Sequence, residues 1–229
     1  MRYQWIIFDA DGTLFDYDHA ENTAIRKTFE HFGYLYNPDY LAIYRHCNKK
    51  LWDAFELKQV TIEELKVNRF RLFLDTIGIT ADPNPFGKQY LMELATGTEL
   101  IPGAEHVLDS LSGKVGMILM TNGIKEVQRS RLHLSTIKHH FSDIIISDEV
   151  GVAKPDSRIF EIAQKNMEIS DKEAVLMVGD NLSSDIKGGN DFGIDTCWYN
   201  PGQKASDPKI KATYEITDLE DILPILDSH

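Results

Sequence analysis

Basic side chains are outnumbered in this sequence: 24 lysines and arginines face 36 aspartates and glutamates, a formal net charge of −12. A grip on the backbone of duplex nucleic acid needs a basic face, so no nucleic-acid polymer is expected as a partner. A small anionic ligand would need a local positive device instead, a metal ion or a placed lysine. Cysteine is nearly absent. Cys47 and Cys197 lie far apart and not at metal-ligand spacing, so they read as free thiols of a reducing compartment. No run approaches the ~18 apolar residues of a membrane span, which excludes a membrane-embedded reading. The first residues hold one base and an apolar run of only four before acids begin, which does not read as a signal peptide. A soluble, cytoplasmic protein is the expectation. Internal repeats and low-complexity tracts are missing as well.

What is present suits a globular chain: 229 residues, 42% hydrophobic and 26% charged, enough to bury a sizeable core. Short apolar, β-branched runs recur at 5–8, 115–120, 143–147, 174–179 and 195–199. Their near-continuous hydrophobicity implies strands covered on both faces. Helical patterns separate the later ones, at Lys125 to Lys138, Asp156 to Asn166 and Ser183 to Phe192. From residue 115 on, strands start roughly 20 to 30 residues apart, the spacing of right-handed crossovers. The expected fold is an α/β, doubly wound parallel sheet. Residues 102–111 read as the first helix packing back on the sheet. "TDLEDILPIL" reads as a closing helix capped by Thr217 or Asp218. Between Phe8 and Val115 no comparable strand occurs, and helical patterning dominates. Residues 16–95 are therefore expected to be a helical insertion into a core of 1–15 and 96–229, with Pro38, Pro83 and Pro85 as loop residues.

In an open α/β sheet, ligands bind beyond the carboxyl ends of the strands. The first strand ends in Asp9-Ala10-Asp11-Gly12-Thr13 and the second in Thr121-Asn122-Gly123. The third is followed by a segment holding Lys154, and the fourth ends in Gly179-Asp180 with Asp185 just beyond. Each piece alone is turn or cap chemistry. Four consecutive strand ends with compatible groups make a site for a metal-bound phosphate. Asp9 and Asp11, two apart on an extended chain, are expected to crowd each other, which a divalent cation such as Mg²⁺ would relieve. Asp9 is then the candidate nucleophile on phosphorus, and Asp11 the candidate proton donor and later base. Thr121, Lys154 and the N–H groups around Gly12, Asn122 and Gly123 are candidates for holding the phosphoryl oxygens. Asp180 would complete the metal shell with Asp185 holding it or Lys154 in place.

These residues together resemble the haloacid dehalogenase superfamily: "DADGT" as its first motif, Thr121 as the second, Lys154 as the third and "GDNLSSD" as the fourth. The resemblance implies a Rossmann-like core with a helical cap inserted after the first motif, and Mg²⁺-dependent phosphomonoester hydrolysis. It also implies that Asp11 offers the metal its backbone carbonyl. Asn48, Lys49, Leu51 and Trp52, "ISDEVGVAKPDSRIF" and "GIDTCWYN" are similar to the bacterial pyrimidine 5′-nucleotidases of that superfamily. That branch acts on dUMP, dTMP and non-standard pyrimidine nucleotides. Gly12 matches the commoner superfamily form rather than the acidic residue of one such relative. The cap is expected to set specificity by closing over the site, through Asp16-Tyr17-Asp18 and Asn48 to Trp52. Trp52 also fits a helix-core stripe, and His46, His139 and His140 have no partner at metal spacing.

Alternatives divide by class. Asp11 argues against a dehalogenase or phosphonatase, whose leaving groups need no such acid. A phosphosugar or other small-metabolite phosphatase shares the core chemistry. An aspartyl-phosphate switch that binds a partner shares the Asp, hydroxyl and Lys-Pro, but lacks the insertion. The expected partner is a small phosphomonoester, and the expected assembly a monomer or homodimer.

Overall fold

The computed structural model describes residues 2–227. In chain order the main elements are β1 (Trp5–Phe8), α1 (Tyr17–His31), α2 (Asp39–Glu56), α3 (Ile62–Ile77), α4 (Pro83–Leu94), α5 (Ala104–Leu111), β2 (Gly116–Thr121) and α6 (Lys125–Leu134). There follow β3 (Asp143–Ile146), α7 (Ser147–Val150), α8 (Ser157–Met167), β4 (Val175–Gly179), α9 (Lys187–Phe192), β5 (Asp195–Tyr199), β6 (Tyr214–Ile216) and α10 (Ile222–Asp227). The chain divides into two compact units, Met1–Tyr17 with Thr98–His229, and Asp18–Gly97. Among the described residues no helix is long and apolar enough to cross a membrane.

The first unit is built on a parallel sheet of order β3-β2-β1-β4-β5-β6. Successive residues of each strand point to opposite faces, and the two cores sort accordingly. Ile6, Phe8, Met117, Leu119, Leu176 and Val178 pack with Val107, Leu108 and Leu111 of α5 and Ile222 of α10. Ile7, Ile118, Met120, Ile145 and Met177 pack with Ile159, Phe160 and Ala163 of α8. Each such side chain contributes about 1.5–3 kcal/mol by leaving water, which is why the strands read as unbroken apolar runs. Phe8 lies opposite Leu119 on β2 and Val178 on β4, so the three strands finish nearly flush. The strand order reverses between β1 and β4, the switch point at which open sheets form their ligand crevice.

Three local expectations are revised. β6 was not foreseen: it is three residues long with an exposed middle, and it exists by pairing with β5. Pro83 and Pro85 are not loop residues but stand in the first turn of α4, where the missing proline N–H costs nothing and Asp82 caps the end. The pattern from Ser183 to Phe192 is broken into a π-helical turn, Leu182–Ile186, and then α9. Asp218 caps a 3₁₀ turn, Leu219–Asp221, that leads into the closing helix α10.

The second unit comprises the remainder of α1 with α2, α3 and α4. Thr61 and Glu64 form a reciprocal capping box that starts α3, and Gly78 in the left-handed region ends it. Its core is aromatic: Phe29, Phe73 and Phe86 pack at centroid distances of 5.5–6.5 Å, and Tyr44, Phe70 and Tyr90 at 5.0–5.5 Å. Buried Arg69 lies over Phe70 and donates to Asn48 Oδ1 at 2.9 Å. Buried Glu21 accepts from Arg45 Nε at 2.6 Å, and Arg45 also pairs with Asp18 at 2.7 Å. Trp52 is half-buried, edge-on to Phe55. His46 and His139 are exposed, while His140 is buried 3.4 Å from Asp109. Cys47 and Cys197 are buried free thiols, and burial pushes the Cys197 thiol up to about 12.

Candidate active site

The site begins where β1 stops. The Asp9 N–H still donates to Val178 O on β4 at 2.9 Å, which carries the acid to the very end of the sheet. The chain then turns sharply, with Leu14 N–H and Phe15 N–H both donating to Ala10 O at 3.0 and 2.9 Å. Gly12 sits in this turn at φ +83°, and a Cβ there would lie 3.0 Å from the Asp180 carboxyl. The backbone conformation favours glycine, and a side chain there would press on the Asp180 carboxyl. Because the turn begins at Ala10, strand alternation no longer governs Asp11. Asp9 and Asp11 do not crowd each other as the extended-chain argument expects; their carboxylates find different partners.

Lys154 is the hub of the buried side of the site. Its ammonium donates to Asp9 Oδ1 at 2.5 Å and Met120 O at 2.8 Å, and lies 2.7 Å from Asp185 Oδ1. These account for all three of its hydrogens. Burial works against the charged lysine, but Asp185 and Asp9 outweigh it and hold its pKa above the ordinary value. Asp185 Oδ2 in turn accepts from the Asn181 N–H at 3.1 Å. Asp180 stands at the end of β4, its carbonyl accepting from Trp198 Nε1 at 3.0 Å, with the exposed Lys204 3.9 Å from its carboxylate.

Among the described residues, Asp9, Asp180 and Asp185 form the one group of three acids whose ligand atoms lie within 4.8 Å of one another. Three carboxylates crowd round one buried ammonium, with Lys204 reaching Asp180 only from the exposed side, so acid groups outnumber the bases. The acids register this. Burial pushes Asp9 well above the ordinary carboxylate range, and repulsion from Asp185 and Asp180 adds to it against the pull of Lys154. Burial, then Asp185, raises Asp180 to about 7. An all-oxygen pocket whose acids repel one another fits a hard divalent cation. The crowding foreseen for Asp9 with Asp11 is thus the crowding of Asp9 with Asp180 and Asp185.

The loop after β2 supplies the opposite wall. Thr121 Oγ1 accepts the Gly123 N–H at 3.0 Å. The Asn122 side chain is committed to the Lys154 main chain, donating to its carbonyl and accepting its N–H, both at 2.8 Å. Asn122 therefore has its main-chain N–H, not its carboxamide, to offer an anion, and its carboxamide ties this loop to the lysine segment. Asp11 Oδ2 accepts from Gln128 Nε2 at 2.6 Å, and Oδ1 accepts from Arg131 Nη1. Neither Gln128 nor Arg131 stood out among the strand-end motifs. The signal was there: with Val127 and Leu132 they occupy the buried face of α6, where polar residues are out of place.

The chain is similar to several known proteins. The crystal structure of the HAD-hydrolase YfnB from Bacillus subtilis, bound to magnesium, superposes with a TM-score of 0.94 at 36% identity, covering 99% of this chain and 100% of that one. The pyrimidine 5′-nucleotidase PynA of Streptococcus pneumoniae is 34% identical over 230 residues, 100% of this chain and 97% of its own length. The pyrimidine 5′-nucleotidase YjjG of Escherichia coli is 31% identical over 229 residues, the full length of both. The family model for haloacid dehalogenase-like hydrolases matches residues 6–199. With a family match over most of its length and relatives that align from end to end, the chain belongs to the haloacid dehalogenase-like hydrolases.

Proposed function

We propose that this chain is a Mg²⁺-dependent phosphomonoesterase that works through an aspartyl-phosphate and takes pyrimidine nucleoside 5′-monophosphates as substrates. The observation that carries the chemistry is the buried Lys154 bridging Asp9 and Asp185 beside Asp180, at the point where the strand order reverses. The substrate class is supported by the two full-length nucleotidase relatives.

Asp9 attacks phosphorus: a carboxylate O–P bond forms as the ester P–O bond breaks, and the Asp11 proton passes to the leaving oxygen. In the second step Asp11 takes a proton from water, whose oxygen attacks phosphorus and releases Asp9 and inorganic phosphate. Lys154 holds Asp9 in place and offsets its charge. The Thr121 hydroxyl and the Asn122 N–H hold phosphoryl oxygens, while the Gly123 N–H orients the Thr121 hydroxyl by donating to its Oγ1. Asp9, Asp180 and the Asp11 carbonyl would hold Mg²⁺, with Asp185 keeping Lys154 in place. When bound, the cation neutralises the acids and the transferring phosphoryl group. We assign residues 16–95 as the cap, with Asp16 to Asp18 and Asn48 to Trp52 as candidates for substrate discrimination. The enzyme is proposed to act in the cytoplasm, as a monomer or homodimer.

A phosphate-release screen over dUMP, dTMP, UMP, purine nucleotides and sugar phosphates tests this, with Mg²⁺ and with EDTA. Release from the pyrimidine nucleotides that stops in EDTA is expected. Release from sugar phosphates but not from dUMP or dTMP overturns the substrate assignment. A stable aspartyl-phosphate with no turnover of any monoester overturns the hydrolase assignment.

A further inference from the structure

The phosphomonoesterase reading gives Asp11 the proton transfers, and the role inferred for its neighbours rests on that reading. The Asp11 carboxylate stands apart from the group of Asp9, Asp180 and Asp185. Both of its oxygens are engaged by α6, Oδ1 by Arg131 and Oδ2 by Gln128 at 2.6 Å. The two donors are three residues apart, one helical turn, and therefore face the same way. They are 1% and 0% exposed.

Burying a guanidinium is costly unless it is paired, and a core-facing helix stripe is normally apolar. Here α6 turns two core-facing polar side chains toward one carboxylate. Packing alone does not account for the glutamine. Its Oε1 is buried without a hydrogen-bond partner, so the carboxamide serves only its Nε2 contact with Asp11. Arg131 also lies over the Phe15 ring, 4.4 Å from its centroid, and Phe15 closes the turn that carries Asp11. Gly123 makes room for the arrangement, since a Cβ there would meet Gln128 Nε2 at 2.4 Å. One continuous stretch, β2 with its loop and α6, thus bears both the phosphoryl-binding loop at Thr121 and the two groups that aim Asp11.

We propose that Gln128 and Arg131 are positioning residues for Asp11, holding its carboxylate in one orientation in register with the Thr121 loop. The proton then reaches the leaving oxygen without a search over Asp11 rotamers. A merely structural pair would support the turn but have no particular bearing on leaving groups.

Gln128→Met keeps the side chain's shape, frees Asp11 Oδ2 of its donor and takes away the unpartnered Oε1 with it. It is to be compared with wild type, Arg131→Lys, Asp11→Asn and the Gln128→Met/Asp11→Asn double variant, all with Mg²⁺. The substrates are dUMP, or whichever alkyl monoester the screen returns, and p-nitrophenyl phosphate, whose leaving group hardly needs a proton. Gln128→Met is expected to slow phosphoenzyme formation from dUMP, read in single turnover, about ten-fold, and to change phosphoenzyme formation from p-nitrophenyl phosphate by less than about two-fold, since breakdown of the aspartyl-phosphate is common to both substrates. In the Asp11→Asn background it adds nothing on dUMP, the non-additivity of groups that act as a unit. Arg131→Lys keeps the charge without the planar fork and falls between. Equal losses on both substrates, or a further loss in the Asp11→Asn background, overturn the proposal. Wild type that hydrolyses neither ester instead overturns the phosphomonoesterase reading beneath it.

Discussion

Replacing Asp180 by asparagine is expected to disable the candidate metal site and yet stabilise the metal-free fold above pH 7. Burial first, then repulsion from Asp185, takes the Asp180 carboxyl from 3.8 up to about 7, with Lys204 and Lys154 pulling the other way. That displacement means the fold disfavours the ionised form by about 4 kcal/mol relative to the unfolded chain. The side chain retains 27% exposure, so solvent relieves part of this, and about 2–4 kcal/mol is expected. A carboxyl whose folded pKa lies above its unfolded one favours the fold in acid. That contribution is complete below pH 3.8 and is lost as pH rises through about 7. Asparagine does not titrate, so wild type should lose stability relative to Asp180→Asn as pH rises across this window. In EDTA the two should converge near pH 4. At pH 8 the variant should melt about 4–16 °C higher, given about 2–4 °C per kcal/mol for a chain of this size. Thermal unfolding followed by circular dichroism at both pH values measures this. Added Mg²⁺ should raise the wild-type midpoint at pH 8 and leave that of the variant unmoved. A variant that melts at or below wild type at pH 8 in EDTA would refute the argument that the three acids strain one another.

Lys154→Met leaves Asp9 and Asp185 buried without their cation and should cost about 3–5 kcal/mol in EDTA at pH 7.5, read from urea unfolding. An unchanged urea midpoint would show that the ammonium is not their neutraliser. Asp9→Asn should abolish turnover and the acid-stable phosphoenzyme while melting no lower than wild type in EDTA; retained turnover would remove the nucleophile assignment.

Much of the fold was legible because of how the two-sided sheet is built. β1 to β5 are buried on both faces, so their apolar runs stand out, and the helical patterns between them set the crossovers. The closing helix, too, was legible from the Asp218 cap of the turn that leads into it. β6 was not legible, because the alternation of Tyr214, Glu215 and Ile216 is too short to stand out from a loop, and the strand takes its form from β5. Pro83 and Pro85 misled because proline marks both loops and first helical turns, and only the Asp82 cap and the packing of Phe86 and Tyr90 decide which. In the site, Asp9, Thr121, Lys154, Asp180 and Asp185 could be named because each stands at or beyond the end of a strand, and parallel strands deliver their ends to one edge.

Sequence alone determined which residues stand at the carboxyl edge of the sheet, since that follows from strand order along the chain and a period of two. Tertiary structure decided which of them touch. Asp11 lies two residues from Asp9, yet the turn at Ala10 sends its carboxylate to Gln128 and Arg131, more than a hundred residues further on. Asp9 is crowded instead by Asp180 and Asp185, from the far side of the switch point. Side-chain partnership across a crevice depends on turn geometry and register, and neither is written in local spacing.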